Sequence, residues 1–385
     1  MSDSKDMADT STSPTPRARY IMIGGFLGAG KTTSVAKLAQ HLTENGKRVG
    51  LITNDQGSEL VDTAMLRSHG YATEEISGGC FCCRFDSLVD AAQNLTDTTR
   101  PDTFIAEPVG SCTDLVATVT YPLRRMYGDR FSIAPLSVLV DPIRAMRVLG
   151  LAEGGNFSEK VRYIYRKQLE EADLIVINKT DLLEPDDLSR LRFALTENYP
   201  HAELFEVSAR NGAGMKEWFA RITDSEQVAR RVMEVDYEKY AAGEALLGWL
   251  NATVDVKSTD EFDAASVMKT LGNSVRDLLV ASSSEIAHFK MTFSPDAGIA
   301  ETGVVNLVRN DYVPELSQDL EEAVTSGQLI INLRAEADPD LLAQSVSEAI
   351  ASLPAVFPGL EAKTRHLEYF KPGKPTPTHR VQADA

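Results

Sequence analysis

The chain has no apolar run long enough to cross a bilayer, and its first residues lack the apolar core of a secretory signal. Both absences predict a cytosolic protein with no membrane partner. Basic residues are short as well: 39 Lys and Arg stand against 56 Asp and Glu, a net charge of −17. A chain this acidic repels a phosphate backbone, which excludes nucleic acid as an expected partner. Histidine is sparse, with His41, His69, His201, His288, His366 and His379 scattered and no His-rich run. Each reads as structural or surface, and His69 is the first to test as a ligand. No internal repeat is present. Cysteine is scarce too, but three of the four fall within four positions. In a reducing compartment such a cluster points to metal or redox chemistry before a structural disulfide.

What is present describes an ordinary globular chain of 385 residues, 43% hydrophobic and 25% charged, long enough for two or three domains. Residues 1–18 read as a disordered tail rich in Ser, Thr, Pro and Asp. Over 19–225, short apolar runs alternate with amphipathic segments. Strands are predicted at Tyr20–Ile23, Arg48–Thr53, Thr103–Ala106, Leu136–Val140, Leu174–Ile177 and Leu204–Val207. That rhythm predicts an α/β fold with a doubly wound, mostly parallel sheet, whose ligands lie beyond the strands' carboxyl ends. A charged stretch over 226–243 reads as a linker. Residues 244–370 read as a smaller α+β domain of split β-α-β-β-α-β, ferredoxin-like order. Its predicted strands are Leu247–Val256, Glu285–Phe293, Val304–Arg309 and Gln328–Leu333, its helices Glu261–Ala281 and Glu315–Thr325. A last helix from Pro339 to Ser352 and a mobile tail over 371–385 complete the reading.

The first motif follows the first strand. From Gly25 the chain reads G-x-x-x-x-G-K-T, through Gly28, Ala29, Gly30, Lys31, Thr32 and Thr33, and a helix is predicted from Lys31 to Glu44. Glycines let successive N–H groups point inward as an anion nest, and the helix adds its positive end. Lys31 is expected at the β- and γ-phosphates and Thr32 on Mg²⁺. Asp55, leaving the second strand, and Glu107, ending the third, are further candidate Mg²⁺ neighbours. Gly110, three residues on, can offer its N–H to a γ-phosphate. Asn178-Lys179-Thr180-Asp181 is a guanine reader: a carboxylate accepts from N1–H and the N2 amine, a donor pair that adenine lacks. Ser208 and Ala209 then back the base.

Cys80-Phe81-Cys82-Cys83 precedes a predicted helix over Ser87–Leu95. A helix start favours thiolates, and three thiolates suit Zn²⁺, with Co²⁺ or Cu(I) also accommodated. A tetrahedral site needs a fourth ligand, from Asp, Glu, His, water or a partner. A buried thiol cluster and a redox switch are the rival readings. Cys112 stands apart and reads as a small buried hydrophobe.

With these four motifs in this order, Tyr20 to Thr223 resembles the CobW-like metal-chaperone GTPases, of the class that includes the urease and hydrogenase nickel-insertion GTPases. The resemblance implies GTP and Mg²⁺ as cofactors, a metal held before Glu107, and release to a client after hydrolysis. Asn54-Asp55-Gln56-Gly57 looks like that family's Asn-Glu-x-Gly segment, with Asp for Glu. The C-terminal half departs from the family pattern, so metal and client stay open. Trp249, Phe289 or the Arg309-Asn310-Asp311 turn are offered as client contacts. The reading is a cytoplasmic GTPase with Lys31, Glu107 and Gly110 as catalytic candidates. No catalytic Gln or arginine finger is identifiable, so slow turnover is expected, raised by metal, client or homodimerisation. Rival functions are GTP-gated loading of a corrinoid-type cofactor, a non-enzymatic metal buffer or sensor, and an ATP-dependent small-molecule kinase.

Overall fold

A computed structural model describes residues 17–54, 66, 70–228, 230, 232–296, 302–320 and 322–382. Asp55, His69 and nearly all of the N-terminal tail lie outside them. The first domain runs β1 (Ala18–Gly25), α1 (Lys31–Glu44), β2 (Val49–Asn54), β3 (Ala72–Ile76), α2 (Phe85–Thr98), β4 (Thr103–Glu107), α3 (Tyr121–Tyr127), β5 (Phe131–Ile133) and β6 (Ser137–Val140). It continues through α4 (Pro142–Val148), α5 (Glu159–Glu171), β7 (Leu174–Ile177), α6 (Pro185–Asn198), β8 (Glu203–Glu206), α7 (Met215–Asp224) and α8 (Tyr237–Glu244).

Strand order is β3-β2-β4-β1-β6-β7-β8, with β5 also on β1. The pairings are parallel, for example Ile21 opposite Ile105 and Ile23 opposite Ser137. Period-two alternation along β1 feeds both faces of the sheet. Ile21 and Ile23 pack with Leu38, Leu42 and Trp218, while Tyr20 and Met22 pack with Phe85, Leu88 and Phe104. The chain reverses winding at β1, between β4 and β6, so the switch-point crevice lies at the glycine loop.

The second domain is β9 (Leu247–Phe262), α9 (Ala264–Ala281), β10 (Glu285–Pro295), β11 (Gly303–Leu307), β12 (Glu315–Gln318), β13 (Val324–Glu336), α10 (Pro339–Val356) and β14 (Leu360–Phe370). Its antiparallel sheet is ordered β12-β11-β10-β13-β9-β14. The ferredoxin-like order is carried by β9, α9, β10, β13, α10 and β14, and β11 and β12 extend the β10 edge.

This differs from the sequence reading in which segments fill those places. The expected helix Glu315–Thr325 is instead the edge strand β12, pairing Leu316 with Val305 and leading into β13. Leu316, Leu320 and Val324 recur every four residues and imitate a helix. Sheet pairing overrides that period, and Leu320 and Val324 still reach the second core. The expected last helix is the second helix of the motif. The missed strand β14 is an edge strand with mostly exposed side chains, so its apolar alternation is faint.

Trp249 and Phe289 are buried, at 1% and 0% exposure, which removes them as client contacts. Arg309 is buried as well. The charged stretch called a linker contains α8, whose Tyr240 and Glu244 are buried against the first domain. The tail expected to be mobile lies on the first domain: Val381 N–H donates to Ala117 O at 2.9 Å, and Arg380 Nε donates to Asp114 Oδ2 at 2.7 Å. Its prolines lower the entropy lost on ordering, and its amides find acceptors.

Candidate functional site

β1 ends at the glycine loop because only glycine fits there. A Cβ on Gly30, at φ 90°, would sit 2.4 Å from Asn178 Nδ2. The loop is bracketed from β7. Asn178 Nδ2 donates to Ala29 O at 2.9 Å, Asn178 Oδ1 accepts from Ala209 N–H at 3.0 Å, and Lys179 Nζ donates to Gly28 O at 2.7 Å. The parallel register of β1, β6 and β7 therefore delivers the glycine loop and the candidate base reader to one place. Ser208 Oγ donates to Asp181 Oδ1 at 2.5 Å, holding the candidate base-reading carboxylate in position.

A cavity of about 900 Å³ opens here. Gly28, Gly30, Lys31, Thr32 and Thr33 line it, together with Asn54, Glu107, Gly110, Asn178, Lys179, Asp181 and Ala209. Of the other candidates, Gly25 turns at φ 128° at the end of β1 and Ala29 is buried. The second domain closes the cavity with Trp249, His288, Lys290, Arg309 and Arg334. Thr32 Oγ1 donates to Glu107 Oε1 at 2.9 Å. A hydroxyl and a carboxylate this close are a hard-oxygen pair of the kind Mg²⁺ takes. Gly110 lies against the phosphate loop: a Cβ there would meet Leu27 N at 2.9 Å.

The cysteine turn lies next to this cavity, and none of the described lining residues is a cysteine. Cys83 and Arg84 N–H both donate to Cys80 O, at 3.0 and 2.9 Å, and α2 begins at Phe85. The sulfurs of Cys80, Cys82 and Cys83 lie 2.7, 3.3 and 3.7 Å apart, and all are free thiols. Zn–S bonds of about 2.3 Å give a tetrahedral edge of roughly 3.8 Å, so a small adjustment admits an ion. Asn54, at the end of β2, bolts this turn down. It donates to Ile76 O at 2.9 Å and Gly79 O at 2.6 Å, and accepts from Phe81 N–H at 3.0 Å.

The thiols do not share one fate. Hydrogen bonds from Cys112, Cys82 and Cys83 hold the Cys80 thiol well below its usual range. Cys82 is pushed well above by its bond to Cys80, and Cys83 to about 11 for the same reason. The three thiols of the turn are therefore shifted in opposite directions, one down and two up. Cys112, expected as a small buried hydrophobe, is buried at 1% exposure.

The tail covers the turn. Thr376 N–H donates to Cys83 Sγ at 3.2 Å and Thr378 N–H to Cys82 O at 2.8 Å. His379 sits edge-on to Phe85 with ring centroids 5.0 Å apart. His41 packs on Phe219, and His201 bonds Glu170 O at 3.0 Å.

Sequence reasoning missed the roles of Asn54, Asp141 and Arg144. Asp141 caps α4 and is fully buried. Burial opposes its charge, yet Lys179, Arg144 and Arg309 together hold it well below the usual carboxylate range. Arg144 NH1 donates to Leu27 O at 2.6 Å and to Ala287 O at 3.2 Å, so one guanidinium joins the phosphate loop to the second domain. The one available signal was the Asn54-Asp55-Gln56-Gly57 segment, which opens on Asn54.

Residues 19–206 match the family model described as the CobW/HypB/UreG nucleotide-binding domain. The first domain is a CobW/HypB/UreG nucleotide-binding domain. This family consists of P-loop GTPases. The chain is 31% identical over 217 residues to a protein named zinc chaperone CobW from Sinorhizobium sp, covering 50% of this chain and 58% of that protein. It is 33% identical over 177 residues to zinc chaperone YeiR from Escherichia coli (strain K12), covering 45% of this chain and 50% of that protein. Against hydrogenase maturation factor HypB from Azotobacter vinelandii it is 30% identical over 218 residues, 54% of this chain and 62% of that protein. The chain thus spans between half and two thirds of the length of these relatives. Among the described residues, no helix is long and apolar enough to cross a membrane.

Proposed function

We propose that the protein is a cytoplasmic, GTP-hydrolysing metallochaperone. It takes a transition metal, zinc or cobalt, at Cys80, Cys82 and Cys83 and hands it to a client protein in a nucleotide-dependent way. The observation that carries this reading is shared scaffolding. Asn54 lines the nucleotide cavity and also holds the cysteine turn through three hydrogen bonds. A change at the nucleotide is therefore felt at the sulfurs without a long relay.

In this reading the glycine loop and Lys31 hold the phosphates, while Asn178 and Asp181 select guanine. Thr32 and Glu107 would hold Mg²⁺, which when bound neutralises charge on the β- and γ-phosphates. Gly110, packed against Leu27 of the glycine loop, would offer its N–H to a γ-phosphate. Catalysis is by position and preorganised charge, and water is the attacking group. The names of the relatives, two of them zinc chaperones, support the metal assignment. The client is a metalloprotein or cofactor enzyme.

The test is metal-binding competition on wild type and Cys82→Ala, each with a non-hydrolysable GTP analogue and with GDP. The expected result is an affinity that changes at least tenfold between nucleotide states in wild type and is lost in the variant. Equal affinity in both states would sink the coupling, because a ligand without differential binding shifts nothing.

A further inference from the structure

The two tryptophans of the chain differ in one respect. Trp218 Nε1 donates to Ser137 Oγ at 2.9 Å. Trp249 lines the cavity from β9, and its buried Nε1–H has no acceptor among the described residues. A buried donor left unpaired is costly, which directs attention to the sheet face around it. Period two turns Leu250, Phe289, Met291, Ile331 and Leu333 toward α9 and α10. The opposite face meets the first domain, and strand register sorts it into two rows. Trp249 stands opposite Arg334, and Arg334 opposite His288. In the next row Asn251 faces Asn332, Asn332 faces Lys290, and Lys290 faces Asn306. All of these except Asn251 line the cavity. Arg334 NH1 donates to Leu250 O at 2.8 Å and Leu333 O at 3.0 Å, and its guanidinium lies 4.0 Å from the Trp249 ring centre. The wall reaches the glycine loop: a Cβ on Gly28 would meet Val308 Cγ1 at 2.9 Å and Ala287 O at 3.1 Å.

We propose that this wall, through Trp249, Lys290 and Arg334, is an oxyanion subsite that takes a phosphate group. The proposal rests on the reading that GTP occupies the first-domain half of the cavity. Indole, ammonium and guanidinium groups only donate hydrogen bonds, so together they recognise a ligand that only accepts. Two cations favour an ionised oxygen over a neutral carbonyl, because charge-assisted bonds are the stronger ones. The opposite wall makes phosphate the oxyanion at hand, since GTP and water yield GDP and phosphate there. The group is met either while it is still the terminal phosphate of the nucleotide or once hydrolysis has freed it. In both cases the second domain, which holds no part of the glycine loop or of the Asn178–Asp181 segment, touches the one group that distinguishes GTP from GDP.

The experiment follows the two indole N–H resonances of full-length protein labelled with ¹⁵N-tryptophan, with Trp249→Phe assigning them. Spectra are taken with Mg²⁺ and GDP, with Mg²⁺, GDP and added inorganic phosphate, and with Mg²⁺ and a non-hydrolysable GTP analogue. The expected result is a saturable downfield shift of the Trp249 proton while Trp218 stays in place. A shift with the analogue alone assigns the attached terminal phosphate, and a shift only when phosphate joins GDP assigns the freed one. In Lys290→Met and Arg334→Met the midpoint of that titration is expected to rise about tenfold. A midpoint unchanged in both variants would make the indole a bystander and overturn the subsite. Should neither variant fold, the wild-type resonances decide alone. A Trp249 resonance that stays put, or only drifts without saturating, while calorimetry shows the analogue bound overturns the subsite and leaves the proposed function standing. Failure of both GDP and the analogue to bind removes the reading of the cavity and the subsite with it.

Discussion

Two buried carboxyls sit behind the cysteine loops, and their charge state is a residue-scale matter. Glu171 accepts from Thr113 Oγ1 and Val116 N–H, each at 3.1 Å, inside the core. Burial, helped by the nearby Asp114 charge, raises its pKa from 4.5 to about 8, and burial raises Glu244 to about 8 as well. Both groups hold a proton in the native state that the unfolded chain releases near pH 4.5. Their stabilising contribution is therefore complete below that pH and is lost progressively as pH rises to about 8. Urea midpoints measured across pH 5 to 8 are expected to fall in wild type and to fall with roughly half the slope in Glu171→Gln. An identical slope in the variant would mean that Glu171 is ionised in the native protein. Neither carboxyl stands out along the chain. A Glu in a charged helix reads as solvated until packing encloses it.

The element whose position departs most from expectation is the C-terminal tail. Polar and proline-rich, it looks mobile by composition, yet its backbone amides bond the cysteine turn at Cys83 Sγ and Cys82 O. Segments like this open locally at low cost, because few apolar contacts hold them. Removing residues 374–385 is expected to raise the alkylation rate of Cys83 in the metal-free protein at least tenfold, with Cys82 changing less. Mass-spectrometric mapping of the modified thiols reads this directly, and an unchanged Cys83 rate would remove the tail as a cover. Elements with strong internal period were legible: α1 spans Lys31–Glu44 as its amphipathic pattern requires. The weakly patterned edge strands β12 and β14 were not, because their identity is set by a neighbouring strand's hydrogen bonds.

At the scale of the whole molecule, the two domains share the cavity, and Arg144 is one of the contacts that join them, beside the Arg309–Asp141 and Arg147–Asp311 pairs. Its guanidinium donates to Leu27 O on one side and to Ile286, Ala287 and Val308 carbonyls on the other. It also stacks over Phe26 and Phe157 at 5.5 and 5.0 Å. Arg144→Met keeps much of the volume but leaves these carbonyls and the buried Asp141 with fewer partners. The expected cost is about 3 kcal/mol. Calorimetry should show the single transition of wild type split into two as the domains uncouple. One transition at an unchanged temperature would show that Arg144 does not couple them.

Local spacing along the chain was enough to mark the G-x-x-x-x-G-K-T loop, the Asn178-Lys179-Thr180-Asp181 segment and the cysteine turn as candidate sites. Each is one loop whose chemistry depends on residues a few positions apart. The strand and helix rhythm likewise determined a parallel sheet followed by an α+β unit. Only the tertiary structure decided that Asn54 serves both cavity and cysteines, and that tail and second domain close over the two sites. Those convergences arise from the parallel register of β1, β2 and β4, which brings loops distant in sequence to one end of a sheet. No spacing rule within a single segment encodes that meeting.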